Sequence, residues 1–87
     1  MVSLARSDRM FDNACDIIAN RPSEEGRSAN TILMRLRRNR KAKQSAADAA
    51  HHEYLESGFR GSFLEYIIAN WDSIFAIIQK ILALFGV

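Results

Sequence analysis

Cysteine and proline each occur once, at Cys15 and Pro22, and glycine only four times in 87 residues. A lone cysteine cannot close an internal disulfide, which excludes a stapled secreted scaffold and makes a reducing compartment the default. So few Pro and Gly residues leave long stretches without a helix breaker. Met1 to Asp8 lack the continuous apolar core of a secretory signal, so a cytoplasmic start is expected. Phosphate-binding glycine loops, serine elbows and glycosidase-type carboxylate pairs are missing too. The expectation is therefore a protein that is not an enzyme and uses no cofactor. His51-His52-Glu53 does not change this, because neighbouring helical side chains point about 100° apart and do not converge on a metal. Cys15, beside an apolar stripe and with no base assigned to it, reads as a packing residue.

What the chain does contain is helical periodicity, and it predicts an all-α fold of two or three helices, at about 8–20, 28–57 and 62–85. Ser7 or Asp8 suits an N-cap, and Met10, Phe11, Ala14, Ile17 and Ile18 form one stripe. Pro22 ends that helix by Arg21. Ser23 before Glu24 and Glu25, or Ser28 after Gly26, begins the second. From Ala29 to Glu56 strong helix formers run without Pro or Gly, enough for a helix of roughly 40 Å. Its two ends are apolar and its middle is basic and alanine-rich, so only the ends are expected in a core. Gly58 and Gly61 bracket a turn. Ser62 with Glu65 three residues later is a capping box that marks the start of the last helix.

The chain also divides by composition. Residues 1–62 hold eleven of the twelve Lys and Arg against eight acids, whereas residues 63–87 hold one Lys against two acids. Residues 1–61 read as a polar, basic helical region, and residues 62–87 as an apolar amphipathic helix for membrane insertion or oligomer packing. On a continuous wheel, Glu65, Asp72 and Gln79 share a narrow polar face with Ala69, Ala76 and Ala83. Large apolar residues cover most of the rest, and only Asn70 interrupts them. Two preceding helices offer too little apolar surface to cover this face, and each large side chain left in water forfeits roughly 1.5–3 kcal/mol. Trp71, Ile74, Phe75, Ile78, Ile81, Leu82 and Phe85 are therefore expected to meet a lipid bilayer or other copies of the chain. Tyr66 and Trp71 suit either interfacial anchors or core positions.

Phe63 to Phe85 would give roughly 34 Å of helix against a hydrocarbon core of about 30 Å. A central Asp72 costs about 2.5–3.5 kcal/mol on insertion, which leaves a lone span near balance. The helix would then lie in the interface, or span as an oligomer with Glu65, Asp72 and Gln79 in a shared polar seam.

Arg35, Arg37, Arg38, Arg40, Lys41 and Lys43 make a cluster that resembles arginine-rich segments which bind nucleic-acid phosphates, and it equally suits anionic lipid headgroups. The order of the halves, basic then apolar, resembles that of small phage lysis proteins. That resemblance implies a membrane-active viral role and carries over no functional residue. The leading expectation is a small membrane-associated protein, with its N-terminal part cytoplasmic or inside a virion. Alternatives are a soluble helical oligomer that binds nucleic acid through residues 35–43, and an adaptor that buries its last helix in a larger protein partner.

Overall fold

The computed structural model describes residues 4–86, with side chains from Ser7 onward. Met1, Val2, Ser3 and Val87, which the two-region reading includes, lie outside the described residues. The described chain is all-α, in five helices: α1 (Leu4–Ala19), α2 (Glu24–Arg37), α3 (Arg40–Ser57), α4 (Phe63–Ala69) and α5 (Trp71–Phe85). The expectation of two or three helices is corrected, because each of the two long helices is broken at an asparagine.

The first break is at Arg38-Asn39. Asn39 leaves the helical region (φ −123°, ψ 104°), and its side chain accepts a 3.1 Å hydrogen bond from the Ala42 backbone N–H. An Asn side chain competes with the helical ladder in this way and is a strong N-cap, so a basic run without Pro or Gly still turns. Turning back buries Ala42, Ala46, Ala47 and Ala50. The expectation that only the ends of a long second helix enter the core is therefore wrong. The alanines are small enough for α3 to lie close against its neighbours, and they supply the middle of the core.

Asn70 makes the second break, where α4 and α5 meet at 94°. Its backbone N–H and its side-chain amide both donate to the Tyr66 carbonyl, at 2.9 and 3.0 Å, which closes α4. Its own carbonyl accepts from Ile74 N–H at 3.1 Å and starts α5. The bend splits the apolar tail between two surfaces: α4 packs mainly on α1, and α5 on α3 and α2. Phe63, Tyr66, Ile67, Trp71, Ile74, Ile78 and Leu82 are buried, while Leu64, Ile68, Phe75, Ile77 and Ile81 pack partly against the core. Of the tail's large apolar side chains, Leu84 and Phe85 remain exposed, at 75% and 40%. Most of the expected surplus of apolar surface is thus covered within one copy of the chain. A radius of gyration of 12.0 Å equals the roughly 12 Å expected of a compact chain of this length.

Local details explain the remaining boundaries. Ser23 caps α2 by accepting from Gly26 N–H at 3.2 Å. Gly26 lies inside the helix because a Cβ there would collide with the Arg21 carbonyl. Helix α1 contributes Phe11, Ala14, Cys15 and Ile18 to the core and leaves Ile17 46% exposed. Between α3 and α4, Gly58 takes a left-handed conformation at φ 71°, and the Tyr54 hydroxyl donates to the Gly61 carbonyl at 2.8 Å. The rings of His51, Tyr54, Phe63 and Tyr66 pack around this turn in tilted and edge-to-face pairs. Ser62 and Glu65 form the expected capping box.

Candidate functional site

The break at Asn39 gathers the cationic cluster into a corner at one end of the molecule. Arg35 and Arg37 sit in the last turn of α2, where cations complement the negative end of the helix. Arg40, Lys41 and Lys43 sit in the first turns of α3, which carry no acid. Cations at a helix N-terminus have the wrong sign for the dipole, and each such placement costs about 0.3–1 kcal/mol. The positive potential of the corner therefore comes chiefly from the cationic side chains, since the positive end of α3 meets the negative end of α2 there.

Only part of that charge is neutralised. Arg37 bonds Asp16 at 2.6 Å and lies 4.0 Å from Asp12, and Lys43 reaches Asp12 at 2.7 Å. The hydrogen bond to Asp16 raises the pKa of the Arg37 guanidinium further, against the opposing effect of burial. These two cations tie α2 and α3 to α1. Arg38, Arg40 and Lys41 are exposed and form no ion pair among the described residues. Arg35 is exposed beside them.

The end of α5 lies at the same end of the molecule. One cleft between α2 and α5 is lined by Glu24, Glu25 and Ser28 with Trp71, Asp72 and Phe75. The next is lined by Ser28, Thr31, Ile32 and Arg35 with Phe75 and Gln79. Numbers rise together along both helices, so α2 and α5 run in the same direction. From Gln79, α5 continues for about 9 Å to Phe85, while α2 ends about 3 Å beyond Arg35. The exposed Leu84 and Phe85 thus lie in the part of α5 that continues beyond Gln79, in the direction of the α2 C-terminus.

A third feature opens at this end, a cavity of about 400 Å³ lined by Asp8 of α1 and Arg40, Lys43 and Gln44 of α3. Oδ1 of Asp8 is buried and accepts no hydrogen bond among the described residues. Burial, with Asp48 and Asp12 nearby, raises the Asp8 pKa above its ordinary 3.8, and Lys43 only partly opposes them. The expectation of an N-cap at Ser7 or Asp8 is corrected, because α1 begins at Leu4 and both residues lie within it, and nothing in linear spacing places Asp8 beside Arg40.

The other expected site residues fall elsewhere. Trp71, Ile74, Ile78 and Leu82 are buried in the chain's own core, Phe75 and Ile81 are partly covered, and Phe85 is exposed. Glu65, Asp72 and Gln79 are all exposed, but Glu65 lies on α4 and the other two on α5. The 94° bend separates the axis that carries Glu65 from the one that carries Asp72 and Gln79. Among the described residues no single helix is long and apolar enough to cross a membrane; α4 and α5 meet that measure only as a bent pair. No group of His, Cys, Asp or Glu among the described residues is arranged to hold a metal ion. His52 pairs with Glu56 at 2.9 Å, whereas His51 turns inward to meet the edge of Phe63. Cys15 is fully buried, and burial, followed by the charge of Asp12, pushes its thiol up to about 12. Both effects keep that thiol protonated and away from solvent.

Compared with known proteins, the chain matches no family model, no curated protein and no solved structure.

Proposed function

We propose that this protein is a small, non-enzymatic, peripheral membrane-binding module, which docks on anionic lipid through the α2–α3 corner and the end of α5. The observation that carries the reading is the corner itself. Exposed Arg38, Arg40 and Lys41 surround a helix N-terminus of the same sign, an arrangement that an anionic surface relieves. Nucleic acid satisfies that charge equally well. Lipid is favoured because exposed Leu84 and Phe85 lie at the same end, and an apolar tip beside cations suits the boundary between headgroups and acyl chains. In this reading α5 stays packed in the fold and contributes only its last turn to the bilayer.

The test is cosedimentation with vesicles of phosphatidylcholine alone and of phosphatidylcholine with phosphatidylglycerol, beside a titration with double-stranded DNA. Binding is expected only to the anionic vesicles, and it weakens with salt. At about 1 kcal/mol per cation near the surface, replacing Arg38, Arg40 and Lys41 together by Gln lowers vesicle affinity about a hundredfold. Leu84→Ala with Phe85→Ala lowers it less and leaves the salt dependence in place. DNA binding that exceeds vesicle binding and ignores Leu84 and Phe85 would favour the nucleic-acid reading and sink this one.

A further inference from the structure

The cavity between α1 and α3 adds a chemical demand that a generic anionic surface does not meet. Asp8 lines it with a carboxylate whose one oxygen is buried and unpartnered, and whose neighbours Asp12 and Asp48 repel it. The nearest relief, Lys43, already holds Asp12 at 2.7 Å. Across the same cavity stands Arg40, which has no ion-pair partner among the described residues, at the positive end of α3. One space therefore wants a hydrogen-bonding cation on its α1 side and an anion on its α3 side. At about 400 Å³ it falls in the lower part of the roughly 300–1,000 Å³ range of small-molecule sites.

Resting on the membrane reading above, we propose that this cavity receives the zwitterionic headgroup of an aminophospholipid. Its phosphate lies against Arg40 and the α3 N-terminus, and its primary ammonium donates to the Asp8 carboxylate. Asp8 lines the cavity and has no hydrogen-bond or ion-pair partner among the described residues, and an ammonium supplies a donor to the carboxylate oxygen that faces the space. A choline headgroup carries the same charge without an N–H, so it cannot satisfy Asp8. Arg40 belongs to both the exposed corner and the cavity, which places the headgroup where the module meets the membrane.

Vesicles of phosphatidylglycerol with either phosphatidylethanolamine or phosphatidylcholine as the neutral lipid carry equal surface charge and isolate the ammonium. Wild-type protein is expected to bind the ethanolamine vesicles about tenfold more tightly, in line with one charge-assisted hydrogen bond. Asp8→Asn should abolish that preference and, by removing one negative charge beside the corner, leave binding to the choline-containing anionic vesicles no weaker than wild type. In solution, O-phosphoethanolamine should shift the amide resonances of Asp8 and of Arg40 through Gln44, where inorganic phosphate shifts only the latter. Equal binding to both vesicle types, or a preference that survives in Asp8→Asn, would overturn the headgroup site while anionic-vesicle binding still upheld the membrane reading. Failure to bind any anionic vesicle would overturn both, and a response to soluble phosphoethanolamine alone would overturn the lipid assignment.

Discussion

Two corners of this molecule turn at asparagine, and they do opposite things with what flanks them. At Asn70 the chain between two apolar helices bends by 94°, and the bend hides side chains: Tyr66 and Ile67 before it, Trp71 and Ile74 after it. At Asn39 the chain between two charged helices bends, and the bend displays side chains: Arg38, Arg40 and Lys41 all face solvent. The apolar tail, the stretch most suggestive of a membrane, is largely consumed by folding. The basic segment is the one left available. A wide apolar face on a wheel measures demand for cover, and a bend can meet that demand within the chain.

The comparison breaks most sharply on stability. Ile74→Ala and Ile78→Ala remove fully buried side chains and should each cost about 2–5 kcal/mol in urea or guanidinium unfolding, whereas Leu84→Ala should fall within about 0.5 kcal/mol of wild type. Equal, small effects at all three would mean that the tail is not core. Next comes the alanine face of α3. Ala46→Leu places a large side chain where none is exposed, and overpacking there should cost about 1–3 kcal/mol.

The corners themselves differ in how they are held, and substitution sharpens that difference. Asn39→Ala deletes a side-chain cap and should cost about 1 kcal/mol, while the Asn70 side chain makes no cap bond to α5 and only doubles the backbone bond to the Tyr66 carbonyl, so its loss should cost less. Circular dichroism melts of the two variants check the order. A smaller effect is expected from Asp8. Its folded-state pKa is raised, so the carboxyl favours the fold when protonated and loses that contribution as pH rises through the raised value. Asp8→Asn should therefore melt slightly above wild type at pH 7, and the gap should close as pH falls toward 3.8. Smallest of all is the response of Cys15, whose buried thiol should resist a thiol reagent in the native protein and react only on unfolding.

Much of the fold was legible one helix at a time. The Ser62 and Glu65 capping box, the stop before Pro22 and the stripe through Phe11, Ala14 and Ile18 depend on residues within two turns of each other, and periodicity reads that range well. Both asparagine breaks were harder, because an Asn within a helical pattern is tolerated or not according to what the turned chain then packs against. Asn70 did leave a trace as the single interruption of the apolar face. Asn39 left one as a cap residue three positions before Ala42, where the alanine run begins. The cationic part of the candidate site was visible as a cluster, but its division was not. Arg37 and Lys43 are claimed by Asp12 and Asp16 from more than twenty residues away, and the meeting of Asp8 with Arg40 exists only once α1 and α3 are packed.

On the membrane reading proposed above, the protein meets anionic lipid with α4 and α5 still folded into the bundle. Amide hydrogen exchange, measured with and without saturating anionic vesicles, tests it directly. Ile67, Ile74 and Ile78 should keep their protection on binding, with new protection confined to residues 38–44 and the last turn of α5. Loss of protection along α4 and α1 together, as the tail straightens across Asn70 and leaves the core for the bilayer, would contradict it.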